Sequence, residues 1–246
     1  VNGVRAGASG SPVLLLHGIG GSSASFESQV DVLARRHRVF AWDAPGYGGS
    51  ADPARADLGW FAEVAARVFD EPAHVVGVSW GGVIATRLAL EHPVLSLTLA
   101  DSTRGSGTSA DSARRMRARV DELAQVGAQE FARRRAPRLT TDPATLVKVE
   151  ATMARVRLPG YRAAAESMAA TDHGPVLGRI AVPTLVVVGA DDRVTGVEES
   201  RLLAREIPGA RLRVIGGGHA ANQERPEEFN DVLLGFLSEV EAARCA

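Results

Sequence analysis

The stretch that decides the fold is HVVGVSWGGVIATRLALEHP, residues 74–93. Its opening, HVVGVS, is a short apolar run of the kind a buried strand makes. From Trp80 onward the apolar residues recur at three and four, as in a buried helix. Ser79 stands at the join, bracketed by Gly77 and Gly81 in the pattern GxSxG. Such a corner lifts the serine side chain out at the carboxyl end of a sheet, and the glycines leave room for the crowded backbone. It also predicts a positive φ at Ser79, at a cost of about 1–3 kcal/mol. Stability gives no reason for that strain; presentation of a nucleophile does.

Working outward, PVLLLHG (12–18), HRVFAWD (37–43) and LSLTLAD (95–101) are further apolar runs that end in polar or glycine-rich turns. VPTLVVVGADD (182–192) and ARLRVIGGG (210–218) repeat the pattern late in the chain. Runs without alternation suit strands buried on both faces of a parallel sheet. Helical periodicity fills the gaps in SSASFESQVDVLARR, LGWFAEVAARVFD, SRLLAREIP and PEEFNDVLLGFLSEVEAA. Strand and helix alternate, so the fold class is α/β: a mostly parallel sheet flanked by helices.

Residues 102–182 carry no comparable strand run and predict an all-helical insertion between core segments 1–101 and 183–246. Four helical stretches are expected there, ADSARRMRARVDELAQVG, AQEFARRRAPRL, DPATLVKVEATMARV and PGYRAAAESMAA, with Asp142 capping the third ahead of Pro143. The insertion holds 14 Lys and Arg against 8 Asp and Glu, and the remainder 14 against 21. An arginine-rich solvated helix surface accounts for this excess. So does a lid whose inner face attracts an anionic substrate.

A serine nucleophile needs a base. Of the six histidines, His17 sits in the first glycine turn, His37 and His74 open strands, His92 ends a helix and His173 lies in the insertion. His219 alone follows the last strand, in GGGHAANQERPEEF, which places it on the same sheet edge as Ser79. The imidazole in turn needs a carboxylate to fix its tautomer. Asp191 and Asp192 follow the late strand; Asp192 is the chosen acid and Asp101, after LSLTLA, the fallback. Two backbone N–H groups are the candidate oxyanion donors: Trp80 at the start of the helix, and Ile19 in HGIGGS (17–22). The side chains of Ile19 and Trp80 are expected to help wall the pocket.

Composition excludes several other classes. The net charge of −1 offers no overall attraction for nucleic acid or an anionic membrane. No apolar run reaches the roughly 18 residues of a membrane span, and the amino end lacks a signal-peptide layout. The one cysteine, Cys245, excludes an internal disulfide and a cysteine-based metal site; it reads as an exposed tail thiol. A cytoplasmic setting is expected, and no cofactor is required.

These residues, in this order, resemble the α/β-hydrolase superfamily. LLLHGIGGS, RVFAWDAPGYGGSADP, GVSWGG, VPTLVVVGADDRVTG and GGGHAANQERPEEF look like its motifs, and the 102–182 insertion is similar to its helical cap. The resemblance implies Ser79 as nucleophile, His219 as general base, Asp192 as triad acid and Ile19 with Trp80 as oxyanion hole. Serine at the elbow disfavours the dehalogenase and epoxide hydrolase subgroups, which use aspartate there, and HGIGGS lacks the proline usual in meta-cleavage hydrolases. AWDAPGYGGS and LPGYRAAAESMAATD look most like the 3-oxoadipate enol-lactonase group. The chain departs from the family at Gly196, where proline often follows DRVT. The expectation is a serine hydrolase of small carboxylic esters or lactones. The alternatives are a C–C bond hydrolase or cofactor-free lyase on the same residues, and a non-catalytic ligand-binding receptor.

Overall fold

The computed structural model describes residues 1–245, and the expected exposure of the Cys245 thiol lies outside the described side chains. Strands β1 (Asn2–Ala6), β2 (Pro12–Leu16), β3 (Arg38–Asp43), β4 (His74–Val78), β5 (Ser96–Ala100), β6 (Thr184–Gly189) and β7 (Arg211–Ile215) form one sheet in the order β1-β3-β2-β4-β5-β6-β7. From β3 across to β7 every pair is parallel. The six strands expected from the sequence are all present. The seventh, β1, pairs antiparallel with β3 at the sheet edge. It is largely exposed, so it has no apolar run to announce it.

Alternate side chains of each central strand go to opposite faces. Val13, Leu15, Val39, Ala41, Val76, Leu185 and Val187 meet α1 (Glu27–Leu33) and α9 (Pro226–Cys245) on one face. Leu14, Leu16, Phe40, Trp42, Val75, Leu97, Leu99 and Val186 meet α2 (Leu58–Ala66), α3 (Trp80–Glu91) and α7 (Gly196–Glu206) on the other. Both sets are apolar because both faces are covered, with each fully buried side chain contributing about 1.5–3 kcal/mol. β7 is the exception: as an edge strand it leaves Arg213 and Val214 exposed.

Between β5 and β6 the chain passes through α4 (Ala110–Arg135), α5 (Pro143–Met153) and α6 (Leu158–Ala169), with 3₁₀ turns at Ala136–Arg138 and Gly174–Arg179. Gly127, at φ 75° and ψ 164°, breaks α4 where the sequence divides two helical patterns. A positive φ of this kind suits glycine, which has no Cβ to clash. Asp142 caps α5, its carboxylate accepting from the Thr145 N–H at 2.8 Å. Met116, Val120, Leu123, Phe131, Tyr161 and Met168 join the apolar cluster on the α2 and α3 face. Two polar links hold the inserted helices to α3: Trp80 Nε1 donates to Ser167 Oγ at 3.0 Å, and His173 Nε2 donates to the Val83 carbonyl at 3.1 Å. The carboxyl ends of β4, β6 and β7 therefore open beneath α4 to α6.

Candidate active site

Ser79 caps α3 with φ 53° and ψ −116°. This is the positive φ that the sequence predicts. Its N–H donates to the Ala100 carbonyl at 2.9 Å, and its own carbonyl accepts from Ser102 Oγ at 2.9 Å. The strained residue is thus tied on both sides, to the last residue of β5 and to the turn that follows it. The flanking glycines have the steric role expected of them. A Cβ on Gly77 would lie 2.3 Å from the Gly81 carbonyl oxygen, and one on Gly81 would lie 2.0 Å from that of Leu16.

His219 follows β7 and reaches Ser79 across the sheet edge, with Nε2 3.0 Å from Ser79 Oγ and Nδ1 3.0 Å from Asp192 Oδ2. An ionised carboxylate only accepts, so Nδ1 carries the proton and Nε2 is left to accept the serine hydroxyl. Burial acts to lower the pKa of His219, but the bond and charge of Asp192 and the charge of Asp101 outweigh it and raise the value above the usual one. Burial acts the other way on Asp192. The hydrogen bonds from His219, Thr195 and Val194 overcome it and hold this carboxyl well below the usual carboxylate range.

The other candidates sort clearly. Asp101 is fully buried with φ 44°, and its carboxylate accepts from the N–H groups of Gly189 at 2.8 Å and Ala221 at 3.3 Å. It joins the end of β6 to α8 (Ala221–Glu224), just past His219. Burial pushes its carboxyl up to about 7. Asp191 lines the cavity wall, and Asp192 alone of the three makes the imidazole contact. His17 donates from Nδ1 to the Gly18 carbonyl at 2.9 Å and accepts the Ala44 N–H on Nε2 at 3.1 Å, a structural role.

At Gly196 the departure from the family pattern has a backbone cause. Its φ is 82°, a value that the proline ring, fixed near −65°, cannot adopt. The turn is braced instead by Asp192 Oδ1, which accepts from the N–H groups of Val194 at 2.7 Å and Thr195 at 3.2 Å.

Gly18, Ile19, Gly20 and Gly21 border the cavity beside Ser79. As the first residue of α3, Trp80 has a backbone N–H without an intrahelical acceptor. Its side chain is not where the sequence places it. The indole is fully buried among His17, Tyr47 and Phe61, outside the cavity lining, and its N–H donates to Ser167 Oγ on α6. Ile19 does line the cavity.

The cavity measures about 880 Å³ and is bounded by Ser79, His219, the first glycine turn and α4 to α6. Among the described residues no group of three or more His, Cys, Asp or Glu is placed to hold a metal ion, and no helix is long and apolar enough to cross a membrane. Sequence reasoning did not single out Thr195 or Ser102, whose hydroxyls donate to the Asp192 carboxylate and the Ser79 carbonyl. It also missed the cavity-facing row Ser112, Arg115, Met116 and Arg119 of α4. The spacing of three and four around Met116 was the available signal for that row.

The family model described as alpha/beta hydrolase fold matches residues 11–226. RutD of Azorhizobium caulinodans, named as a carbamate hydrolase, is 32% identical, covering 94% of this chain and 93% of its own. The 3-oxoadipate enol-lactonase 1 of Acinetobacter baylyi is 26% identical, with 93% and 89% covered. The solved structure of a thermophilic esterase from Thermogutta terrifontis, malate bound, superposes with a TM-score of 0.89 at 27% identity, covering 96% of this chain and 92% of that one. With the family match running from before β2 to the start of α9, this chain belongs to the α/β-hydrolase fold family, as a hydrolase.

Proposed function

We propose that the protein is a serine hydrolase that cleaves a small-molecule carboxylic ester or lactone through an acyl-enzyme. The observation that carries this reading is the unbroken hydrogen-bond chain from Asp192 through His219 to the strained Ser79 at the cavity wall. His219 takes the proton of Ser79 Oγ as the oxygen attacks the carbonyl carbon. The N–H groups of Ile19 and Trp80 hold the developing oxyanion, helped by the positive end of the α3 dipole. The imidazolium then gives its proton to the leaving alkoxide, and water releases the acid by the reverse relay. Asp192 keeps the tautomer and stabilises the imidazolium. Residues 1–101 and 183–246 form the catalytic core in this reading, and 102–182 form its helical cap. A cytoplasmic setting goes with this reading.

Initial rates on short-chain aryl esters, simple lactones, a 3-oxoadipate enol-lactone and an aryl carbamate, wild type beside Ser79→Ala, test the reading. The carbamate is included because RutD carries that activity in its name. Turnover of esters or lactones that vanishes in the variant is expected. Wild-type turnover no greater than that of the variant on every compound would overturn it, in favour of the C–C hydrolase or lyase chemistry or a ligand-binding role.

A further inference from the structure

The basic excess of the inserted segment is spread unevenly: Arg155, Arg162 and Arg179 are exposed, away from the cavity and without an ion pair among the described residues. Arg114, Arg117, Arg133, Arg134 and Arg157, away from the cavity, each meet a carboxylate: Asp111, Glu166, Glu130, Glu130 and Asp52 respectively. At the cavity, Arg104 is held by Glu199 and Arg115 by Asp111. Arg119, Arg135 and Arg138 also line the cavity that holds Ser79 and His219, and they are supplied differently. The nearest carboxylate to Arg135 is Glu122 at 3.6 Å, although its side chain is only 13% exposed. Its guanidinium lies 5.4 Å over the Phe131 ring. Arg119 and Arg138 have no ion pair among the described residues.

These three cations act on one another and on the chemistry. Burial first, and then the charges of Arg119 and Arg138, push the pKa of Arg135 down, with the Tyr161 hydroxyl and Glu122 opposing. The charge of Arg119 also acts to lower the pKa values of the Tyr161 hydroxyl and of His219. Like charges that share one cavity wall repel, so the half-buried Arg119 and Arg135 carry a cost that an anion between them would offset, with Arg138 at the exposed rim. Guanidinium groups present paired N–H donors that match the two oxygens of a carboxylate.

We propose that Arg119, Arg135 and Arg138, with the Tyr161 hydroxyl, form a carboxylate-binding subsite. The substrate is then an ester or lactone that keeps a free carboxylate away from the bond Ser79 cleaves. This rests on the serine-hydrolase reading for its chemistry but not for its binding. The subsite fixes one end of the substrate, so the scissile carbonyl is held against Ser79 Oγ and the preference is expressed in kcat/KM.

The test compares mono-p-nitrophenyl glutarate with its methyl-capped diester. The wild type is expected to prefer the acid by about 10- to 100-fold in kcat/KM, the size of one or two charge-assisted hydrogen bonds. In Arg119→Gln and Arg135→Gln the ratio of acid to diester should fall toward one, and Arg135→Lys should restore part of it. A wild-type ratio near one, or a ratio unchanged in both glutamine variants, would overturn the subsite. Calorimetric titration of glutarate separates this outcome from failure of the serine reading. If neither ester is turned over but glutarate binds the wild type and not Arg135→Gln, the subsite stands and the serine chemistry falls. If inorganic sulfate binds as tightly as glutarate, the site is a general anion trap and the carboxylate assignment fails.

Discussion

Thr195 Oγ1 donates to Asp192 Oδ2 at 2.6 Å, on the same oxygen that accepts from His219 Nδ1. That oxygen therefore accepts two hydrogen bonds, while Oδ1 is anchored by the Val194 and Thr195 N–H groups. Asp192→Asn puts an amide where His219 needs an acceptor and favours the wrong tautomer. Its kcat is expected to fall by about 10⁴. Thr195→Val leaves the carboxylate in place with one bond fewer, and a loss of about tenfold is expected, in line with one net hydrogen bond. Steady-state rates on the best substrate of the panel decide both. A kcat for Asp192→Asn within tenfold of wild type would remove it as the acid.

The acid limb of kcat/KM should lie above pH 6.5. From the sequence alone, the limb is expected at the reference histidine value of about 6.5. The charges of Asp192 and Asp101 move it upward, because each stabilises the protonated imidazole that cannot act as base. Asp101, pushed up to about 7 by burial, is coupled to His219 by charge, so the limb belongs to the pair. Asp101→Asn removes one of the two negative charges and should shift the limb to lower pH, with kcat within about tenfold of wild type. The pH profile of this variant, with His219→Gln as control, makes the check. A shift to higher pH, or a loss comparable to that of Asp192→Asn, would contradict the geometry.

The strands of the sheet interior were legible because both faces are covered: Val13 and Leu15 turn one way, Leu14 and Leu16 the other, and all four are apolar. β1 was not, because an edge strand with exposed side chains carries no such run. Ser79 and His219 were legible as single residues at strand ends. The choice between Asp192 and Asp101 depended on backbone directions that the sequence states only indirectly. Asp101 follows its strand just as directly, yet its carboxylate turns to the Gly189 and Ala221 N–H groups. Trp80 shows a further limit. Its position in the turn could be read, but the Ser167 hydroxyl that accepts from its indole lies 87 residues further along the chain.

The buried histidines outside the site set the acid stability of the fold. Burial lowers the pKa of His17 and of His74 to about 4, and lowers those of His37 and His173 as well. Below the unfolded value of about 6.5 the unfolded chain takes protons that the fold refuses. The stability these groups contribute is thus full above that pH and lost as pH falls toward 4. Each of His17 and His74 contributes a slope of about 1.4 kcal/mol per pH unit in that window. Asp101 acts oppositely, since its raised pKa lets the fold bind a proton between about 7 and 3.8 that the unfolded chain releases. His219 has the same sign as Asp101, its contribution being lost as pH rises through its own raised value. Two strongly lowered histidines and two further ones outweigh these terms, so Tm should fall from pH 6.5 to 4.5. His74→Gln should flatten that fall, because burial holds the imidazole neutral inside the fold, with the charges of His37 and Arg244 acting the same way and Glu241, at 3.8 Å, opposing. Thermal melts across this range, with proton uptake from calorimetry in two buffers, make the measurement. If unfolding of His74→Gln takes up as many protons as that of the wild type, His74 is already charged inside the fold and its burial does not set the acid limit.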